Sequence, residues 1–380
     1  MSIIKEEYHY HSVETAIEYI NNLPSDTLKI ELRNYVLKEL PDLTRFTCLE
    51  ILDCTFNHLT KLPDLSKHVN LRRLNVSWNK INELPDNLYK LENLKIFACD
   101  HNNLSELPDI SKFKNLEYLN CSWNKLKYLT PLNTNLITLN CQHNELIALP
   151  QLEYNLQEIN CSYNQLTSIN LLSYNLQKLY CNNNKIKRFT NFNHNLNELN
   201  CYNNEITFLP ELNENLEALY CYNNSLTYLP PFNNKLKVIG CETNNIMRLP
   251  SFTENIERIF CSHNKLSILP EIPMVTKLAE FRFYDNPVCD ITKPIFGFIY
   301  QHEKFQILRP ILKTLNNFTH LYYCLKFKNK FRDWLWLKVR KPFIESHYSP
   351  ENLAILLSSI QNEEDQEKYE SELDNLIETW

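Results

Sequence analysis

Residues 116–125 read LEYLNCSWNK, residues 136–145 LITLNCQHNE, residues 156–165 LQEINCSYNQ and residues 176–185 LQKLYCNNNK. The four stretches share one frame, L-x-x-[LI]-x-C-x-x-N, and each begins 20 residues after the last. Followed outward, the first position of the frame is Leu49, Leu71, Leu94, Leu116, Leu136, Leu156, Leu176, Leu196, Leu216, Leu236, Ile256 and Leu278. Its asparagine is Asn57, Asn79, Asn102, Asn124, Asn144, Asn164, Asn184, Asn204, Asn224, Asn244, Asn264 and Asn286. A weaker unit precedes these, with Ile30, Leu32, Leu37 and Leu40 in register and Tyr35 in the asparagine slot. A fixed period near 20 residues over most of a chain is the mark of a solenoid, in which each unit buries its apolar face only against its neighbours.

The frame carries its own physics. Side chains alternate along a strand, so L-x-x-L-x-C directs positions 4 and 6 inward and leaves positions 3, 5, 7 and 8 outward. Parallel strands stacked about 4.8 Å apart over the whole array give an arc on the order of 60 Å. Few residues remain after the asparagine, too few for a full return helix. Leu-Pro pairs such as 62–63, 149–150 and 249–250 favour extended backbone there. The asparagine amide both donates and accepts, which suits it to satisfy turn backbone that no sheet satisfies. Position 6 holds Cys54, Cys99, Cys121, Cys141, Cys161, Cys181, Cys201, Cys221, Cys241 and Cys261. A side-by-side ladder suits buried hydrophobes, not disulfides, and no C-x-x-C spacing completes a metal site.

On these residues the sequence resembles the leucine-rich-repeat family from about residue 27 to 291. The 20-residue units with Leu-Pro in the second half look most like the short LPX repeats of bacterial effector proteins. The resemblance implies a repeat solenoid of class α/β, with a parallel inner β-sheet, a mostly non-helical outer side and a concave binding face. Some of those effectors carry a cysteine ubiquitin ligase after the repeats. Here only about 90 residues follow, and Cys289 and Cys324 lack the C-x-D setting of that domain. The segments 348–353 and 374–380 also look like the tails of repeat proteins from giant DNA viruses.

Composition narrows the function classes. The chain holds two glycines, Gly240 and Gly297, in 380 residues. A phosphate loop or dinucleotide fingerprint needs several close together, so both are excluded. Asparagine takes over as the residue expected at left-handed turns. The formal net charge of −6 gives no sign of a nucleic-acid binder. No apolar run approaches a membrane span, and MSIIKEEYHYH at residues 1–11 does not read as a secretion leader. Reduced thiols then point to an intracellular, cytoplasmic setting, that of the host cell if the source is viral.

The ends differ from the array. Residues 1–26 are expected to supply a capping helix over 12–22, with Ser12 as N-cap and Val13, Ile17 and Ile20 on one side. Residues 292–380 read as a helical cap or tail. In it a stretch rich in aromatics and bases (321–343) precedes an acidic final helix. A protein of this kind is expected to be non-catalytic, without cofactor or metal, and to bind a protein partner. The residues expected to do so are the outward aromatics and histidines. Phe56, Trp78, His101, Trp123, His143 and Tyr163 line up at position 8, Tyr180 and Tyr220 at position 5, and Tyr202 and Tyr222 at position 7. An adaptor linked to ubiquitin ligation through the C-terminal region is the alternative.

Overall fold

A computed structural model describes residues 12–289, apart from 153–154, 170–173 and 274–276. The expected helical tail, its aromatic-basic stretch and Cys324 lie outside the described residues. All the described residues belong to one compact unit.

The described residues form one parallel sheet of thirteen three-residue strands, β1 (Lys29–Glu31) to β13 (Glu280–Arg282), hydrogen-bonded in chain order. Each strand occupies positions 3 to 5 of its unit. Position 4 pairs with position 4 throughout, as in Leu52 with Leu74 and Leu139 with Ile159. Two of the longer units put their extra residues to visible use: the 3-10 turns Asp86–Lys90 and Ile110–Lys112 fall in the 23- and 22-residue units that begin at Leu71 and Leu94. Among the described residues the 20-residue coils return without helix.

The core is a set of ladders. Positions 1, 4 and 6 are almost wholly shielded from solvent, as Leu136, Leu139 and Cys141 illustrate at 0% exposure. All ten ladder cysteines are free and buried. Burial pushes each of these thiols upward, to about 12 for Cys161, so they pack as small hydrophobes and not as nucleophiles.

Each motif asparagine staples two coils. Asn164 Nδ2 donates to the carbonyls of Cys161 in its own coil and Cys141 in the preceding one, both at 3.1 Å, and its Oδ1 accepts from Leu146 N at 2.9 Å. The same three bonds recur at Asn79, Asn204 and Asn264. A second asparagine row, not read from the sequence, precedes position 1. Asn70, Asn93, Asn115, Asn135, Asn155, Asn195, Asn215 and Asn255 each donate to a carbonyl one coil back, at 2.7–3.1 Å. Where lysine replaces it, Lys235 Nζ reaches Asn215 Oδ1 at 2.6 Å and Lys277 Nζ reaches Asn255 Oδ1 at 3.0 Å.

The helix α1 (Val13–Asn22) is present, with Ser12 Oγ accepting from Thr15 N. Its buried residues are Ala16 and Ile20, whereas Val13 and Ile17 are exposed. That corrects the expected apolar face: Ala16 and Ile20, four residues apart, meet the protein, and the face is narrower. Arg45 donates to the Ile20 carbonyl and ties the helix end to the next coil.

Candidate interaction surface

Beyond the strand the chain turns sharply, and position 8 is the turning point. It has positive φ in all thirteen coils, from Asn34 at 62° through Trp78 at 56° and Trp123 at 52° to Asp285 at 52°. Asparagine, which tolerates this region, fills the slot at Asn183, Asn203 and Asn223. Six consecutive coils instead carry Phe56, Trp78, His101, Trp123, His143 and Tyr163. The expectation that asparagine stands in for glycine at the turns is therefore corrected for these coils. The motif asparagine at position 9 is not left-handed, and a bulky ring usually is at position 8. Such a backbone costs about 1–3 kcal/mol for a non-glycine residue.

The geometry that offsets this cost is a continuous stack. Ring centroids lie 5.2 Å apart for Phe56–Trp78, 3.7 Å for Trp78–His101 and 5.1 Å for His101–Trp123. The stack continues at 3.7 Å for Trp123–His143 and 4.0 Å for His143–Tyr163, with interplanar angles of 11–21° along its length. Each aromatic contact contributes about 0.5–1.5 kcal/mol beyond area burial, so stacking offsets part of the strain and does not clearly exceed it. The rings stay open to solvent: Phe56 is 39% exposed, Trp78 47%, Trp123 45% and Tyr163 43%. Because the faces are taken by neighbours, the row presents ring edges.

The N-terminal end of the row, Phe56 and Trp78, borders a depression of about 520 Å³ on the open face of the sheet. Its floor includes Arg73, Asn75, Tyr118 and Asn120, and Asp53 and Asp100 sit lower. Asp53 accepts from Arg33 Nη2 at 2.6 Å and from Thr55 Oγ1 at 2.8 Å. Asp100 accepts from Asn120 Nδ2 at 2.9 Å and lies 2.9 Å from His101 Nδ1, so the carboxylate orients one imidazole of the stack. Burial, with His101 as a second cause, holds the His143 pKa below the usual histidine value.

The other expected residues divide. Tyr202 and Tyr222 stack at 4.2 Å and 9°, and the Tyr202 phenol lies near enough to Tyr163, the end of the long row, to raise its pKa. Tyr180 stands apart and donates from its hydroxyl to Glu198 Oε2 at 3.1 Å. Tyr220 belongs to a separate group around Gly240. Position 7 is not uniformly outward, as alternation would have it: Thr55, Ser77, Ser122, Ser162 and Asn182 are buried there. The strand has ended two residues earlier, and only longer side chains such as Gln142, Tyr202 and Glu242 reach partway to the surface. Among the described residues, no group of three histidine, cysteine or acidic side chains is placed to hold a metal ion. None of their helices is long and apolar enough to cross a membrane.

The leucine-rich-repeat family model matches residues 70–91. No curated protein matches the chain. Among solved structures, YopM from Yersinia enterocolitica is 27% identical, with TM-score 0.57, over 72% of this chain and 68% of that one. YopM from Yersinia pestis, described as a leucine-rich effector protein, is 24% identical with TM-score 0.60, over 72% and 93%. The functional domain of InlJ from Listeria monocytogenes, described as including a cysteine ladder, is 24% identical with TM-score 0.57, over 69% and 64%. The stacked coils, the asparagine staples and these likenesses together give the chain the leucine-rich-repeat fold.

Proposed function

We propose that this chain is a non-catalytic scaffold that binds a protein partner along the open sheet face of its N-terminal half, with Trp78, Trp123 and Tyr163 as anchors. One observation carries the reading. The fold needs only a left-handed residue at position 8, and Asn183, Asn203 and Asn223 meet that need without a ring. Six coils in succession nevertheless hold rings there on left-handed backbone, and Phe56, Trp78, Trp123 and Tyr163 are about two-fifths exposed. Half-exposed aromatic strips of this kind are typical of protein interfaces. The ring edges, positive in their quadrupole, suit backbone carbonyls and aliphatic side chains. A stacked nucleobase needs free ring faces, and here neighbours occupy them, which supports a protein over a nucleic acid. The fold neighbours fit a protein-interaction role. We further read the buried thiols as reduced and the protein as intracellular.

The test uses residues the chain already accepts at this slot. Trp78→Asn, Trp123→Asn and Tyr163→Asn combined keep the turn and remove three rings. Affinity capture from lysate is expected to show a protein retained by the wild type and lost from this variant, with thermal unfolding little changed. Identical captures, or an empty wild-type capture, would overturn the proposal.

A further inference from the structure

Away from the long row, the other end of the sheet face holds a second arrangement with different chemistry. Gly240 ends β11 (Val238–Gly240), between Tyr220 of β10 (Ala218–Tyr220) and Phe260 of β12 (Arg258–Phe260). It is the only glycine among the described residues. Its service here is space. A Cβ at that position would lie 3.3 Å from Tyr220 Cδ1, close enough that the ring would have to give by a few tenths of an ångström, and at an ordinary contact distance of 3.7 Å from Tyr222 Cδ1. The two tyrosines thus lean over bare backbone and leave a depression of about 410 Å³ against Phe260 and Glu242.

The lining is one-sided in its chemistry. It offers ring faces and hydrogen-bond acceptors, and it contains no lysine, arginine or histidine. Glu242 is half-buried and has no ion-pair partner among the described residues. Asn200 contributes a buried Oδ1 that meets no donor. Aromatic faces attract cations, and a carboxylate beside them adds to the attraction. The same Phe260 already carries one guanidinium, with Arg282 Cζ 5.1 Å from its ring centre, while Arg282 is itself paired with Glu280. What the depression lacks is therefore a positive charge, and its neighbouring strand shows which form of charge the rings accept.

We propose that Tyr220, Tyr222, Phe260 and Glu242, arranged around Gly240, receive an arginine side chain of a partner protein. Tyr220, Tyr222 and Phe260 all line the space over Gly240, so a planar cation entering it meets aromatic rings on more than one side. A guanidinium stacks through its face and donates from its edge toward Glu242. A lysine ammonium is more strongly hydrated and has no face to stack. The assignment rests on the reading that the sheet face binds protein, but it is separable from the aromatic row, because no residue is shared.

The test is ring-proton NMR on the full chain, titrated with the acetylated, amidated pentapeptide Gly-Ser-Arg-Ser-Gly and its lysine and citrulline counterparts. The arginine peptide is expected to shift Tyr220, Tyr222 and Phe260 signals and to bind about tenfold more tightly than the citrulline peptide. Glu242→Gln is expected to weaken it about tenfold, a change too small sterically to disturb the coil. A Trp78→Asn/Trp123→Asn variant, which keeps Tyr163 beside Tyr202, is expected to bind it like wild type, so a failure of the aromatic row and a failure of this receptor read out separately. Equal binding of arginine and citrulline peptides, tighter binding of lysine, an unaffected Glu242→Gln protein, or no shift at about 10 mM peptide each overturns the assignment.

Discussion

At the scale of single residues, the motif asparagine is where the chain has least freedom. Asn164 is 9% exposed and satisfies two carbonyls and one amide that the sheet leaves open. Leucine has the same branched heavy-atom skeleton but makes none of these bonds, and the orphaned backbone groups remain buried. Asn164→Leu is expected to cost about 2–4 kcal/mol in urea unfolding. Asn164→Asp separates the donor from the acceptor role. A carboxylate still accepts from Leu146 N but repels the carbonyls of Cys141 and Cys161, so aspartate is expected to be at least as damaging. A near-neutral aspartate variant would show that the Nδ2 contacts do little. Cys48 makes the complementary prediction. It is exposed, whereas the ladder thiols are buried with pKa values raised by desolvation. Brief treatment of folded protein with an alkylating reagent near pH 8 is expected to label Cys48 and spare Cys121, Cys161 and Cys181, read by peptide mass mapping. Labelling of a ladder thiol before unfolding would contradict the packing.

At the scale of one element, the aromatic row responds to acid through its histidines. His143 lies between Trp123 at 3.7 Å and Tyr163 at 4.0 Å, and burial and His101 both favour its neutral form. A histidine with a folded pKa below its unfolded value stabilises the fold fully above about pH 6.5. That contribution is lost as pH falls toward the folded value. The imidazole resonances of His143 are therefore expected to titrate with a midpoint below 6.5, and tryptophan fluorescence to change over the same range. His143→Gln is expected to abolish that component. A midpoint at or above 6.5 would mean that the ring is better solvated, or better paired, than the stack implies. This row also shows where sequence reading stops. Leu, Cys and Asn recur at their slots because every coil must meet the same burial and the same orphan backbone groups, so the period, the sheet and the ladders were legible. The left-handed turn was not, because Phe and Trp are not the residues that such a backbone selects. The alignment of six rings was readable as a row, but their stacking, and hence the use of their faces, depended on that turn. Asn70, Asn93 and Asn115 went unread because their row stands just outside the conspicuous frame. Position 7 was misjudged at Thr55 and Ser77 because strand alternation was extended past Asp53 and Asn75, where the strands end.

At the scale of the whole molecule, a ladder repeated through most of the coils turns a weak residue property into a large one. Ten buried thiols are held in their neutral form. An unfolded cysteine titrates near 8.5. A group whose pKa is raised by folding stabilises the folded state fully below the unfolded pKa, and this is lost as pH rises toward the folded value. Each such thiol gives up about 1.4 kcal/mol per pH unit above that point. Ten of them together exceed about 10 kcal/mol by pH 9.5, comparable to the entire stability of an ordinary domain. The array is therefore expected to melt far lower at pH 9.5 than at pH 7.5 in a reducing buffer, well before lysine and tyrosine titrate freely near pH 10 and above. Neighbouring coils are coupled, so loss at a few ladder positions spreads to the rest and the transition is expected to stay steep. Replacing Cys141, Cys161 and Cys181 together with alanine is expected to lower stability at pH 7.5 through the volume lost. The same replacement is expected to flatten the alkaline decline by close to three tenths. Melting that is unchanged from pH 7.5 to 9.5 would mean that solvent reaches the ladder, and the solenoid core would then be looser than its geometry.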